Sequence, residues 1–141
     1  MRAITLCLCT LWGCFIYAQS DSTTFHTYLY NKEYQVYMRI NFYNQDVVIP
    51  GQELLGPLPG YLGKERNSFC WPIVSVETKG QKAHLQMVND YGSEDLEAIL
   101  TRQNDSIYIL KQGKGSVLKV PNNGKWQKLP NPLPFVRPKR Q

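Results

Sequence analysis

Between residues 33 and 43 the side chains alternate without interruption: Tyr34, Val36, Met38, Ile40 and Phe42 on one side, Glu33, Gln35, Tyr37, Arg39, Asn41 and Tyr43 on the other. A period of two over this length fits a half-buried strand and no helix, because successive side chains of a strand point to opposite faces. A strand with one apolar face must bury it against further strands, and the rest of the chain supplies them. Residues 25–30 precede a turn at Asn31 and Lys32. Residues 73–78 and 82–89 flank a turn at Lys79 and Gly80, with Ala83, Leu85 and Met87 alternating against polar neighbours. Such runs separated by tight polar or glycine turns are the pattern of hairpins.

Further along, residues 96–102 and 106–111 flank Asn104 and Asp105, residues 117–120 follow the glycine-rich stretch 112–115, and residues 125–129 follow a turn at 122–124. The segment from Ser93 admits two readings. Ser93, Glu94 and Asp95 resemble an N-cap with an acidic first turn, and Leu96, Ile99 and Leu100 share a helical face. Equally, Leu96, Ala98 and Leu100 alternate, and their partner Ile107, Tyr108, Ile109 and Leu110 is strand-like, so the strand is preferred. Residues 50–64 hold three prolines and four glycines, which break regular structure but leave short extended pieces near Leu54, Leu55, Tyr61 and Leu62. The expected fold is all-β: an antiparallel meander of about eight short strands forming a small barrel, lipocalin-like, or a sandwich. Parallel pairing would need long crossovers, which the chain lacks.

The termini frame this domain. Residues 1–18, MRAITLCLCTLWGCFIYA, run from a basic residue through an apolar stretch to a small one, the grammar of a secretory signal peptide cleaved near Ala18. A lipoprotein signal with Cys14 as the lipidated residue is the lesser alternative, because Trp12 is bulky for that processing site. Expected divisions are therefore signal 1–18, flexible leader 19–24, a single β-domain 25–130 and a proline-rich basic tail 131–141 that lies on the surface or frays. A periplasmic or secreted protein follows, with no transmembrane segment in the mature chain. Cys7, Cys9 and Cys14 fall in the signal, leaving Cys70 alone between Phe69 and Trp71, where a buried apolar role fits it best.

The chain carries a net charge of +5, and its sign is unevenly distributed. No acidic residue follows Asp105, whereas Lys111, Lys114, Lys119, Lys125, Lys128, Arg137, Lys139 and Arg140 do. Lysines spaced along exposed strands keep edges from pairing and the protein soluble. The alternative is a weak contact with an anionic surface such as lipopolysaccharide, a phospholipid head group or an acidic protein. No nucleic-acid-binding motif accompanies the charge, so nucleic acid is not an expected partner.

Against this basic background, NDYGSEDLEA, residues 89–98, gathers the carboxylates of Asp90, Glu94, Asp95 and Glu97. The acidic spacing of an EF-hand is missing, and neighbours in one loop are poorly placed to act as a catalytic pair. A structural turn fits most of these residues: Asn89 and Asp90 as turn caps, Gly92 at positive φ, Glu94 and Glu97 facing water. A partner-binding loop through Asp90, Tyr91, Glu94 and Asp95 is the functional alternative. Nine tyrosines are many for so small a core. Tyr37 and Tyr43 face away from Val36 and Phe42, and together with Tyr61 they are candidates for a binding surface or, in a barrel, for lining a ligand cavity. His26 and His84 stand without a triad or metal-site context, and no cofactor or phosphate-binding motif is present.

The signal end Ile16-Tyr17-Ala18-Gln19, the loop NDYGSEDL at 89–96, LEAILTRQNDSIYILKQG at 96–113 and GKWQKLP at 124–130 resemble small exported β-rich proteins of unknown function from Bacteroidota. The resemblance covers mainly the second half of the mature chain; it implies export and a β architecture and carries no activity. The expected function is a noncatalytic secreted or periplasmic binding domain, without cofactor or metal, whose partner is an unknown protein or a small hydrophobic ligand. A protein inhibitor or immunity protein that meets a basic enzyme or toxin through the acidic loop is one alternative. A lipocalin-like carrier is another; it calls for an apolar cavity where a surface binder calls for a filled core.

Overall fold

A computed structural model describes residues 23–139; the proposed signal segment 1–18, with Cys14, lies outside the described residues. Among the described residues there are ten strands: β1 (His26–Asn31), β2 (Val36–Asn41), β3 (Gly60–Lys64), β4 (Cys70–Lys79), β5 (Lys82–Val88), β6 (Asp95–Arg102), β7 (Ile107–Gly115), β8 (Lys119–Asn122), β9 (Lys125–Lys128) and β10 (Leu133–Val136). Eight of them close an antiparallel barrel in the order β1-β2-β3-β4-β5-β6-β7-β10, while β8 and β9 pair only with each other. The architecture is thus a barrel and not a sandwich, and β6 is a strand, not a helix. The barrel wall is a meander interrupted once, where the β8–β9 hairpin intervenes between β7 and β10.

The alternation that defines β2 also sets the inside of the barrel. Val36, Met38 and Ile40 are buried, while Tyr37 and Arg39 point outward. The strand is shorter than the alternating run because asparagines at both ends bend the chain. Asn31 Oδ1 accepts from the Tyr34 amide at 2.9 Å, and Gln35 takes φ 53°. Beyond the other end, Asn41 Oδ1 accepts from the amides of Tyr43 and Asn44 at 3.2 and 3.1 Å. Such side-chain-to-backbone bonds compete with the ladder and favour turns.

An eight-stranded barrel is just wide enough for side chains to fill it or to leave room for one small ligand. Here the centre holds Trp71, Tyr108, Phe135, Met38, Leu62 and Leu85, all essentially inaccessible to solvent. At one end, where β2, β4, β6 and β10 finish, Phe25 stacks on Phe42 with ring centroids 5.3 Å apart and meets the edge of Tyr108 at 6.4 Å. At the opposite end the β8–β9 hairpin lies across the opening and buries Val120, with Leu118 and Leu129 on its flanks. Trp71 Nε1 donates to the Lys119 carbonyl at 2.8 Å, so the largest core side chain is also the tether of this cap.

Three expectations change. Thr24, placed in the flexible leader, is buried; its hydroxyl accepts from Arg102 and its carbonyl from the Tyr108 hydroxyl. Within the tail, residues 133–136 neither fray nor lie loosely on the surface but form β10, with Leu133 and Phe135 fully buried and paired to Leu110 and Tyr108 of β7. Its prolines are tolerated because β10 meets β1 only around Tyr30 and Val136. The Pro134 carbonyl turns toward β1, accepting from Asn31 Nδ2 at 2.7 Å. A residue's nitrogen points the same way as its carbonyl in a strand, so the missing N–H falls on this sparse seam. Finally, Leu54 and Leu55 sit in a short 3-10 turn, Glu53–Leu55, and not in an extended piece.

Candidate binding rim

Four loops meet at the end capped by the β8–β9 hairpin, and Phe69 joins three of them. The Asn67 side chain accepts from the Phe69 amide at 2.8 Å and fixes the chain as it enters β4. The Phe69 ring is buried and stands edge-on to Trp71 inside the barrel, with centroids 6.4 Å apart. Its remaining surface meets Tyr91 of the 89–94 loop at 5.9 Å and Trp126 of β9 at 5.1 Å. Tyr91 is 73% exposed and Trp126 51% exposed. An aromatic chain therefore runs from the core to the surface and ends in two open rings.

The acidic loop is built around Asn89, which is buried. Asn89 Oδ1 accepts from the amides of Ser93 and Glu94 at 2.8 and 3.2 Å, and its Nδ2 donates to Ser93 Oγ at 3.0 Å. Gly92 takes φ 70°, a conformation that favours glycine. The turn reading thus accounts for the loop's backbone. The carboxylates, however, do not all face water. Glu94 pairs with Lys119 at 3.4 Å, and Lys119 Nζ also lies 5.5 Å from the centre of the Trp126 ring, a cation–π contact. Asp90 accepts from Gln52 Nε2, and loss of solvent around it raises its carboxyl pKa, opposed by the Cys70 backbone N–H. Asp95 is exposed at the start of β6, with its carbonyl accepting from Ser116 at 2.8 Å.

The Gln52–Asp90 bond brings in the fourth loop. Residues 44–59 leave β2 at the far end and climb the outer wall, held by the Val47–Leu58 bridge and by Ile49 packed on Tyr61 and Cys70. Beneath this cover, burial pushes both the Tyr61 phenol and the Cys70 thiol up to about 12. Cys70 is thus the buried apolar residue expected, with little thiolate at neutral pH. The loop's 3-10 turn presents Leu54, fully exposed, and Leu55, half exposed.

Of the sequence candidates, Asp90, Tyr91, Glu94 and Asp95 share the rim, while the tyrosines separate. Tyr37 lies on the outer wall, 5.8 Å from Tyr28 and 5.9 Å from Tyr61 between ring centres, with Arg39 against both Tyr28 and Tyr37. Its ring covers Gly63, where an added Cβ would meet it at 2.5 Å. Tyr43 is at the opposite end, and its hydroxyl accepts from the Phe25 amide at 3.2 Å. None of the three lines the barrel interior; the inward positions belong to Val36, Met38 and Ile40. Phe69, Trp126, Lys119 and Gln52 are rim residues that the sequence reading missed. The one signal for them was GKWQK, residues 124–128, an aromatic between lysines immediately after a tight turn.

A concavity of about 770 Å³ crosses the outer face of β4 to β7. Its floor includes the cross-strand row Glu77, His84, Ile99 and Lys111, and Gln86 donates to Glu97 beside it at 3.2 Å. The groove is open and its charges are mixed. No helix among the described residues is long and apolar enough to cross a membrane. Comparison with family models, curated proteins and solved structures finds no match.

Proposed function

We propose that this chain is a noncatalytic exported binding domain whose barrel serves as a rigid mount for the rim formed by Phe69, Tyr91, Trp126, Glu94 and Lys119. The observation that carries this reading is the aromatic chain from Trp71 through Phe69 to two exposed rings. Large rigid aromatics bury much area at small entropic cost and dominate binding interfaces, and here they are anchored in the core. The packed interior favours an outer contact over an enclosed hydrophobic ligand. The inhibitor alternative draws less support, because Glu94 is neutralised by Lys119 and Asp90 is held by Gln52.

Affinity capture tests the reading. The chain from Gln19 onward is used as bait on periplasmic and secreted fractions beside Tyr91→Ser/Trp126→Ser. The expected result is a stoichiometric partner retained by the wild type and lost by the variant at equal thermal stability. Equal retention by both would overturn the rim as the contact.

A further inference from the structure

We infer that the rim seats on an anionic lipid surface. This inference rests on the rim being the binding face and names the class of its partner. The apolar groups there protrude and do not enclose a recess: Leu54 is fully exposed, Leu55 and Trp126 half exposed and Tyr91 mostly so. A protein hot spot is usually completed in a well-packed pocket, whereas a fluid interface accepts projecting side chains of any outline. The residue types match the depth profile of such an interface. Two adjacent leucines at a loop tip suit the acyl boundary, and Trp and Tyr, with apolar bodies and polar ends, suit the head-group level.

Charge supports the same occupant. The β8–β9 hairpin carries Lys119, Lys125 and Lys128 and no acidic residue, and Lys125 and Lys128 are exposed beside Trp126. Three acidic groups of the adjoining loops are engaged within the protein, where Asp90 accepts from Gln52, Glu94 pairs with Lys119 and the exposed Glu53 accepts from the Gly51 amide at 3.0 Å, while Asp95 stays exposed. The Gln52–Asp90, Phe69–Tyr91 and Phe69–Trp126 contacts connect the leucine tip with the lysine hairpin. The barrel wall is unsuited to lipid, with Glu77, Lys79, Lys82, His84 and Lys111 directed outward. Contact is therefore made by the end of the barrel, with its wall in water.

Co-sedimentation of the chain from Gln19 onward, which contains the whole described barrel, tests this. The probes are vesicles of phosphatidylcholine alone and of phosphatidylcholine with phosphatidylglycerol at about 3:1, chosen for surface charge. Binding is expected on the anionic vesicles, weakened by salt, and reduced at least about tenfold in Leu54→Ser/Leu55→Ser and in Trp126→Ser. The leucines are solvent-exposed, so their replacement leaves the fold intact, and a matching thermal melt verifies this. No sedimentation beyond a vesicle-free control, or binding unchanged in both variants, overturns the inference. If vesicles fail while capture of a soluble protein still depends on Tyr91 and Trp126, the lipid partner is rejected and the rim reading stands. If the rim variants alter neither, both fall.

Discussion

Asn89 organises the acidic loop: four hydrogen bonds converge on its buried side chain, two of them from backbone amides. Asn89→Ala strands those donors, and a loss of about 1–3 kcal/mol is expected in chemical denaturation. Gly63 makes a second prediction, since a Cβ there would strike the Tyr37 ring at 2.5 Å. Gly63→Ala should destabilise by about 1–3 kcal/mol, the usual range for overpacking, and much of that loss should vanish in a Tyr37→Ala background. Additive effects would show that the ring does not cover the glycine. Cys70 and Tyr61 set an alkaline limit. Burial raises the thiol from 9.0 and the phenol from 10.0, each to about 12. Both groups stay protonated in the folded state while the unfolded chain ionises. Stability present below pH 9 should therefore fall between about pH 9 and 12, and Cys70→Ala should flatten the early part of that slope. At this scale Tyr91 and Glu94 were legible as candidates because they sit in a polar turn. Phe69 was not, because a buried hub has the same sequence signature as any core aromatic.

Alternation revealed the strands, but not how the barrel closes. Residues 96–102 admitted a helix as well as a strand, and they form β6 with Leu96, Ala98 and Leu100 facing the core. Residues 133–136 read as part of a tail that lies on the surface or frays, because prolines rarely occupy strands, and the seam that tolerates Pro134 is a tertiary feature. Phe135→Ala should cost about 3–5 kcal/mol, the range for a buried aromatic; a near-neutral effect would mean that β10 is dispensable. The β8–β9 hairpin makes the opposite kind of element. A two-stranded hairpin is marginal alone, so this one depends on Leu118, Val120, Leu129 and the Trp71–Lys119 bond. Leu118→Ala should accelerate amide exchange across residues 119–128 while β4 to β7 keep their protection. Equal acceleration throughout would mean that the hairpin and wall open as one unit.

At the scale of the whole molecule, a filled, capped barrel is distinct from the aromatic rim proposed to bind at one end. Strand count and alternation pointed to a small barrel or a sandwich; which of the two forms, and whether its interior is occupied, depends on side-chain sizes meeting across the lumen, which no linear pattern displays. The two tryptophans of the chain from Gln19 onward report on these two regions. Trp71 is fully buried at the centre, and Trp126 is half exposed at the rim. The most direct measurement is acrylamide quenching of the wild type and of Trp126→Phe, with and without the partner retained in affinity capture. The expected result is that the quenchable emission belongs to Trp126 and is shielded on binding, while Trp71 emission in the variant stays unquenched and unshifted. Continued quenching of Trp126 in the complex, together with a spectral shift of Trp71, would place the ligand inside the barrel and rule out the rim as the contact.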